Sequence, residues 1–319
     1  MTSATDPTTS NVHNGPVHRR QLSDRAILHL FIWPTLGLLI AMNVFPLFYS
    51  LYLSFTSYSA IGSQLPVWEG FNNFSTILND PQVWKYFATT GRYALLTVSL
   101  QTILGFSLAM LVRQKFNGSG LVTTFILVPM MISPVVVGLF WKLMYNPTFG
   151  FFNFLLGFTN PSNGLDMIAS AFAGKPVPEL ALWAVVLVDV WMWSPFVMLL
   201  VLSGLNAIPD YLYEAAAIDR ASSWFQFWRI TLPQVAPLLL IAVLFRTIEA
   251  FKSFDLVMGM TGGGPGDQTE LVAINLYRTA FLGQFRTSYS SALAYIILII
   301  IIAVSNLYIK YLNQIKGES

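Results

Sequence analysis

Residues 214–233, EAAAIDRASSWFQFWRITLP, lie between two long apolar runs and are by turns small, polar and aromatic. Their chemistry predicts two short helices joined at a turn. Pro209 suits a first helical position, where its missing N–H would be unbonded anyway. Asp210 and Glu214 fall early in that helix, where negative charge suits the dipole. Ala215, Ala216 and Ala217 are strong helix formers and leave a shallow surface. Asp219-Arg220 is the expected break. Ser222 can cap a second helix bearing Trp224, Phe225, Phe227, Trp228 and Ile230, which Pro233 is expected to end as it opens the next apolar segment. A shallow alanine face beside one carboxylate suits docking into another protein's groove; an amphipathic segment lying on the membrane surface is the competing reading.

Composition sets the surroundings of this stretch. The 319 residues are 55% apolar and only 10% charged, against about 25% charged in an ordinary soluble domain. An integral membrane protein follows. A net charge of +2 gives no reason to expect nucleic acid. Without cysteine there is no disulfide framework and no thiolate metal site. The three histidines, His13, His18 and His29, all lie near the N-terminus, which excludes a catalytic or metal-binding histidine deep in the chain.

A span needs about 20 mostly apolar residues. Six runs qualify: 27–55, 87–112, 121–144, 180–204, 234–258 and 289–311. Residues 23–319 are therefore expected to form one transmembrane domain with an inner loop at 205–233. Residues 1–22, rich in Ser, Thr, Asn and Pro, are expected to be a disordered cytoplasmic tail. The first run is about twice as long as a signal-peptide core, so it is expected to be retained despite the small residues at Ser57 and Ser59. Arg19, Arg20, Arg25, Arg113, Lys115, Arg220, Arg229, Lys310 and Lys316 fall on one side. Lys85, Arg92, Lys142, Lys175, Arg278 and Arg286 fall on the other. The nine-to-six bias predicts both termini, and the 214–233 stretch, in the cytoplasm.

Polar residues inside the spans mark candidate sites. The fourth run contains Asp189, Trp191 and Trp193. In the fifth, Arg246, Glu249, Lys252 and Asp255 alternate in sign at three-residue spacing, so a self-neutralising ladder along one helix is expected. Such a face must meet protein or water, as in a translocation pathway or a subunit interface. Trp141, at the outer end of the third run, reads either as an interfacial aromatic or as a functional stacking surface. The segment 69–90 is expected to hold one short helix around Phe74, Ile77 and Leu78 and another starting at Asp80-Pro81. Three glycines and a proline at 261–265 exclude a regular helix there.

Glu214-Ala215-Ala216, Asp219, Ala221, Ile230 and Leu232-Pro233 resemble the EAA loop of ABC-importer permeases. Arg220 stands where that pattern usually has glycine, which would relieve strain at the turn. Further resemblance, to sugar-importer permeases, lies in Gly70, Asn73, Phe74, Asp80, Pro81 and Trp84, although Thr89-Thr90 stands where Asn-Thr is common. It continues in Pro129, Pro134, Gly138, Trp141, Asn146, Pro147, Gly150 and Asn153, and in Asp189-x-Trp191-x-Trp193-x-Pro195-Phe196. The TGGGP loop at 261–265, with Thr269-Glu270 and residues 277–281, resembles the maltose-type and glycerol-phosphate-type permeases.

The resemblance implies an all-α membrane fold of the type I ABC importer permease (MetI-like) class, with six transmembrane helices and cytoplasmic coupling helices. It implies a non-enzymatic translocation subunit in the inner or plasma membrane. The implied partners are a second homologous permease, two copies of an ABC ATPase, an extracytoplasmic solute-binding protein, membrane lipid and a carbohydrate. Glu214, Ala215, Ala216, Asp219, Arg220 and Ala221 would couple to the ATPase; Trp141, Asp189, Trp191, Trp193, Arg246, Glu249, Lys252 and Asp255 would line the solute pathway. The chain is expected to hold no cofactor. A P-loop requires G-x-x-x-x-G-K-[ST], and Gly174-Lys175 is followed by Pro176 with Ala169 at the first glycine position, so ATP and magnesium would sit on the partner ATPase. The alternatives are an ABC permease for a non-sugar solute and, in other classes, a stand-alone secondary transporter or an intramembrane enzyme. Inverted repeats with paired broken helices would favour the secondary transporter; none is evident, and an enzyme would lack cysteine and a deep histidine.

Overall fold

The computed structural model describes residues 23–61, 65–114, 116–146, 150–151, 178–283 and 285–317. The expected tail, Pro147, Asn153 and Gly174-Lys175 lie outside them. The chain divides into two compact units, residues 1–50 and 51–319. In the first, α1 (Asp24–Leu39) passes through a π-helical turn at Ile40–Val44 into α2 (Phe45–Ser54), which crosses the boundary at Ser50. Pro34 is carried within α1.

In the second unit, a two-residue strand pair, β1 (Thr56–Ser57) and β2 (Val67–Trp68), follows α2. Asn73, on α3 (Asn72–Leu78), fastens this corner by donating to the carbonyls of Ser54 and Thr56 at 3.0 and 2.8 Å. Helix α4 then runs unbroken from Pro81 to Arg113. Asp80 caps it by accepting from the Gln82 N–H at 2.9 Å, with Pro81 in the first turn. The short helix expected at Asp80-Pro81 is therefore the first turns of the second span, since no breaker follows Pro81.

The third apolar run is not one straight helix. Helix α5 (Ser119–Leu127) with its 3-10 extension to Met131, and α6 (Pro134–Met144), meet at 96°. Pro134 drives the residues before it out of helical geometry, and Ile132 and Ser133 are extended at ψ 144° and 133°. Helix α7 (Pro178–Ala207) is the most enclosed span. After α7, α8 (Tyr211–Ile218) and α9 (Ser223–Gln226) precede a π turn, Phe227–Thr231, and α10 (Leu232–Phe251). The short α11 (Asp255–Met260), then α12 (Val272–Phe281) and α13 (Thr287–Gly317), complete the chain.

Pro233 does not end a helix, as the sequence reading expected. Residues 223–251 form one continuous span. Proline in a helix interior removes one backbone bond and crowds the carbonyl four residues back. Here a π turn ends two residues before it, and the Leu232 N–H reaches back to the Phe227 carbonyl. The same device precedes Pro46, where the Phe45 N–H bonds the Ile40 carbonyl.

Five described helices are long and apolar enough to cross a membrane, and the bent α5–α6 pair makes a sixth. The larger unit has three apolar clusters. One gathers Tyr93, Met192, Met260 and Leu271; a second Ala109, Met198, Leu205 and Val235; a third Ile77, Val272 and Leu293. The first requires the backbones of α6 and α11 to touch. A Cβ on Gly138 would stand 2.6 Å from the Leu256 carbonyl oxygen, so no larger residue fits.

Candidate functional site

Helix α8 begins one residue after its N-cap position, Asp210, so Pro209 lies just outside it. Its C-terminus is a Schellman motif. The Arg220 N–H bonds the Ala217 carbonyl at 3.1 Å, and the Ala221 N–H bonds the Ala216 carbonyl at 2.9 Å. Arg220 occupies the left-handed position at φ 54°, where a non-glycine residue costs roughly 1–2 kcal/mol. Ser222 then caps α9, accepting from the Phe225 N–H at 3.2 Å. Arg220→Gly is expected to raise the melting temperature of the purified subunit, through about 1 kcal/mol of relieved strain, and to leave transport intact. Loss of transport with normal assembly would instead mean that the guanidinium makes a contact of its own.

The small residues of α8 do not share one face. Glu214 and Ala215 are exposed, whereas Ala216 is buried within this chain. Ile218 and Trp224 continue the exposed surface at 82% and 71% exposure. The opposite side is pinned by Tyr213, which sequence reasoning passed over. Its hydroxyl accepts from Arg113 Nη1 at 3.1 Å and pairs with Thr231 Oγ1 at 2.9 Å. The Arg113 guanidinium also lies 4.8 Å from the Tyr213 ring centre. One side chain thus ties α8 to the end of α4 and to the π turn below α10.

Within the spans, six of the eight expected pathway residues meet around one cavity of about 100 Å³: Asp189, Trp193, Arg246, Glu249, Lys252 and Asp255. They do not form the expected ladder. Arg246 turns away from Glu249 to Asp189 on α7, 3.4 Å distant, and both side chains are 4% exposed. Gln101, from α4, closes the triangle, donating to Asp189 Oδ2 at 2.7 Å and accepting from Arg246 Nε at 2.9 Å. Trp193 covers the guanidinium, its ring centre 4.7 Å away. Only Glu249 and Lys252 pair along the chain, at 2.7 Å with both about half exposed. Helix α10 ends at Phe251, and Asp255 starts the separate helix α11. That break removes the helical register the ladder needs. Trp141 and Trp191 stand apart from the cavity, their rings in edge contact at 5.4 Å, with Tyr145 also against Trp141. The cavity's volume of about 100 Å³ is below the range of small-molecule sites.

The loop after α11 is locked by charge. Asp267 accepts from Lys85 Nζ and Gln82 Nε2 on α4, each at 2.7 Å. The Lys85 contact holds its carboxyl below the usual carboxylate range. Glu270 is buried and paired with Arg278 at 2.8 Å; burial pushes its carboxyl up while Arg278 opposes the shift. Arg278 also donates to the Gly262 carbonyl. A Cβ at Gly263, which has φ 92°, would overlap Glu270, so that position in the TGGGP loop requires glycine.

Comparison with known proteins places this architecture. The family described as binding-protein-dependent transport system inner membrane component matches residues 101–315. The chain belongs to this family. It is 32% identical over 284 residues to the trehalose/maltose transport system permease protein MalF of Thermococcus litoralis, covering 88% of this chain and 92% of that one. It is 30% identical over 290 residues to the trehalose transport system permease protein SugA of Mycobacterium tuberculosis, covering 91% and 90%. A chain of a bacterial ABC transporter that imports alginate shares the fold, with TM-score 0.76, 19% identity and coverage of 90% and 95%. The chain is thus a multi-pass membrane component of a transport system, with the type I permease fold. The family match takes in Gln101 and Tyr213 as well as the EAA-like loop. A lone amide in the apolar run 94–112 was the available signal for Gln101, and a hydroxyl one residue before Glu214 was the signal for Tyr213.

Proposed function

We propose that this chain is one of two homologous permease subunits of an ATP-driven importer for a carbohydrate. The carrying observation is the α8–turn–α9 loop: an exposed Glu214-Ala215 surface backed by Tyr213, which links it to two membrane helices. In this reading the loop and both termini are cytoplasmic. Two copies of an ABC ATPase bind ATP and magnesium, and one of them docks on Glu214 and Ala215 of this chain. A binding protein on the far side delivers the solute. The relatives named for trehalose and maltose transport support a carbohydrate.

The mechanism is alternating access. ATP binding draws the two ATPase subunits together and displaces α8. Tyr213 passes that displacement to α4 through Arg113 and to α10 through Thr231. A ligand shifts a two-state equilibrium only by its differential affinity for the two states, so the lever must meet the ATPase differently in each. The cavity beside Asp189 and Glu249 is closed to a sugar here and enlarges when the permeases part. Its exposed Glu249 and Lys252 can then exchange their mutual pairing for hydroxyl groups, while Arg246 stays locked.

Two measurements test this reading. Proteoliposomes holding the subunit with its partners should accumulate labelled trehalose or maltose only with ATP on the loop side and binding protein on the other. Uptake without ATP would overturn the reading. Reporter fusions after Leu65 and Leu165 should report outside, and those after Asn117 and Ala215 inside. A reversed result at Ala215 would place the loop where no ATPase can reach it.

A further inference from the structure

We propose that the far end of the larger unit carries a second saccharide site, a polar vestibule that takes one sugar ring before it enters the pathway. The inference rests on the carbohydrate-importer reading. Its basis is a cavity of about 310 Å³ between the strand-pair corner, α3 and the start of α13. That volume lies at the low end of small-molecule sites. The lining is wholly polar in residue type, with Tyr58, Glu69, Asn72, Arg286 and Tyr289 among it.

The bonding state of these groups points to a ligand. Glu69 and Arg286, both exposed at the mouth of one cavity, carry opposite charges, and neither has an ion pair among the described residues. Among the described residues the Glu69 carboxylate accepts from Asn72 Nδ2 alone, at 3.1 Å through Oε2. Arg286 lies with its guanidinium 4.2 Å from the ring centre of the buried Tyr289. The cavity thus offers carboxylate and amide acceptors beside a held guanidinium donor. A neutral polyhydroxyl ring matches that mixture: its O–H groups donate to Glu69 while its oxygens accept from Arg286, both as charge-assisted bonds. The ring contact also removes conformational freedom from Arg286 before a ligand arrives, which lowers the cost of binding.

The corner is built to keep its shape. Thr56 Oγ1 and Ser288 Oγ lie 3.0 Å apart, Ser59 Oγ donates to the Phe285 carbonyl at 2.9 Å, and the Ala60 N–H donates to Thr287 Oγ1 at 3.1 Å. These bonds join the two chain segments that wall the cavity while leaving Glu69 and Arg286 with unused capacity. This cavity shares no residue with the one beside Asp189.

The test uses the assembled transporter in nanodiscs without binding protein, probed by saturation-transfer NMR with maltose, trehalose and glucose. Wild type should transfer signal to the ring protons of at least one of them. Glu69→Gln and Arg286→Gln should each weaken that binding about tenfold, the equivalent of one charge-assisted bond, and Lys310→Gln, at an exposed position near the other end of α13, should not. No transfer in wild type, or equal transfer in the variants, overturns the vestibule. A raised half-saturating concentration of binding protein in the variants, with sugar binding unchanged, overturns it too and makes the cavity a protein dock. Uptake by the same transporter in proteoliposomes, with ATP and binding protein supplied, separates the two readings: normal wild-type uptake without Glu69-dependent binding removes the vestibule alone, and no uptake of any sugar removes the importer reading.

Discussion

Arg246→Leu is expected to destabilise the folded subunit by about 3–5 kcal/mol, with loss of recoverable protein after mild heating. The substitution leaves Asp189, which is 3% exposed, without its cation and with neutral donors such as the Gln101 amide. Asp189→Leu should do comparable damage by stranding Arg246. The double variant Asp189→Leu/Arg246→Leu should recover much of the loss, because a buried ion pair replaced by apolar side chains is often neutral. Gln101 would keep its bond to the Asp189 main-chain carbonyl, now at 3.1 Å. Glu249→Gln breaks a pair that is half exposed, so its effect should stay within about 1 kcal/mol. Melting temperatures from fluorescence-detected gel filtration measure all four. Damage in the double variant equal to the sum of the singles would show that the residues are not a pair and act separately, as direct solute contacts would.

The second large effect is expected at the loop. Ala215→Trp places a bulky side chain on an exposed small-residue surface. Overpacking a close contact costs about 1–3 kcal/mol, so ATPase co-purification should fall by roughly 10- to 100-fold. Tyr213→Phe is the subtler change. It retains the ring beside Arg113 and removes the hydroxyl that joins Arg113 to Thr231. The ATPase should still bind and hydrolyse ATP, but uptake per ATP should drop. An unchanged ratio of uptake to hydrolysis would remove Tyr213 from the coupling route.

The contrast between Arg246 and Arg220 shows what the sequence could and could not reveal. Arg220 follows a helix-forming run and precedes a capping serine, so its place at a turn was legible from neighbours within a few residues. The structure gives it φ 54°. The six apolar runs were legible for the same local reason, and so were Asp80-Pro81 as a helix start and the exclusion of helix at 261–265. Arg246 has three oppositely or similarly charged residues at helical spacing after it, and local spacing favoured a ladder. Its partners lie 57 and 145 residues away in sequence, where periodicity carries no information. The 96° bend was half legible: Pro134 was visible, but a proline alone does not give an angle. The continuous helix through Pro233 was not legible, because a π turn has no pattern that local propensity can find. The separation of Ala215 from Ala216 follows from how α8 leans on its own chain, which no single-sequence reading supplies.

The central claim is that the ATPase acts on this chain through α8. The chain contains no cysteine, so single thiols can be introduced without removing any. In assembled transporter, Ala215→Cys should cross-link to the ATPase subunit through a short thiol-to-amine reagent, and the yield should change on ATP binding. Ile61→Cys, also exposed but on the segment between β1 and β2, should not cross-link. Labelling of the residue-215 thiol in intact cells by a membrane-impermeant reagent, with no ATPase adduct, would contradict the account.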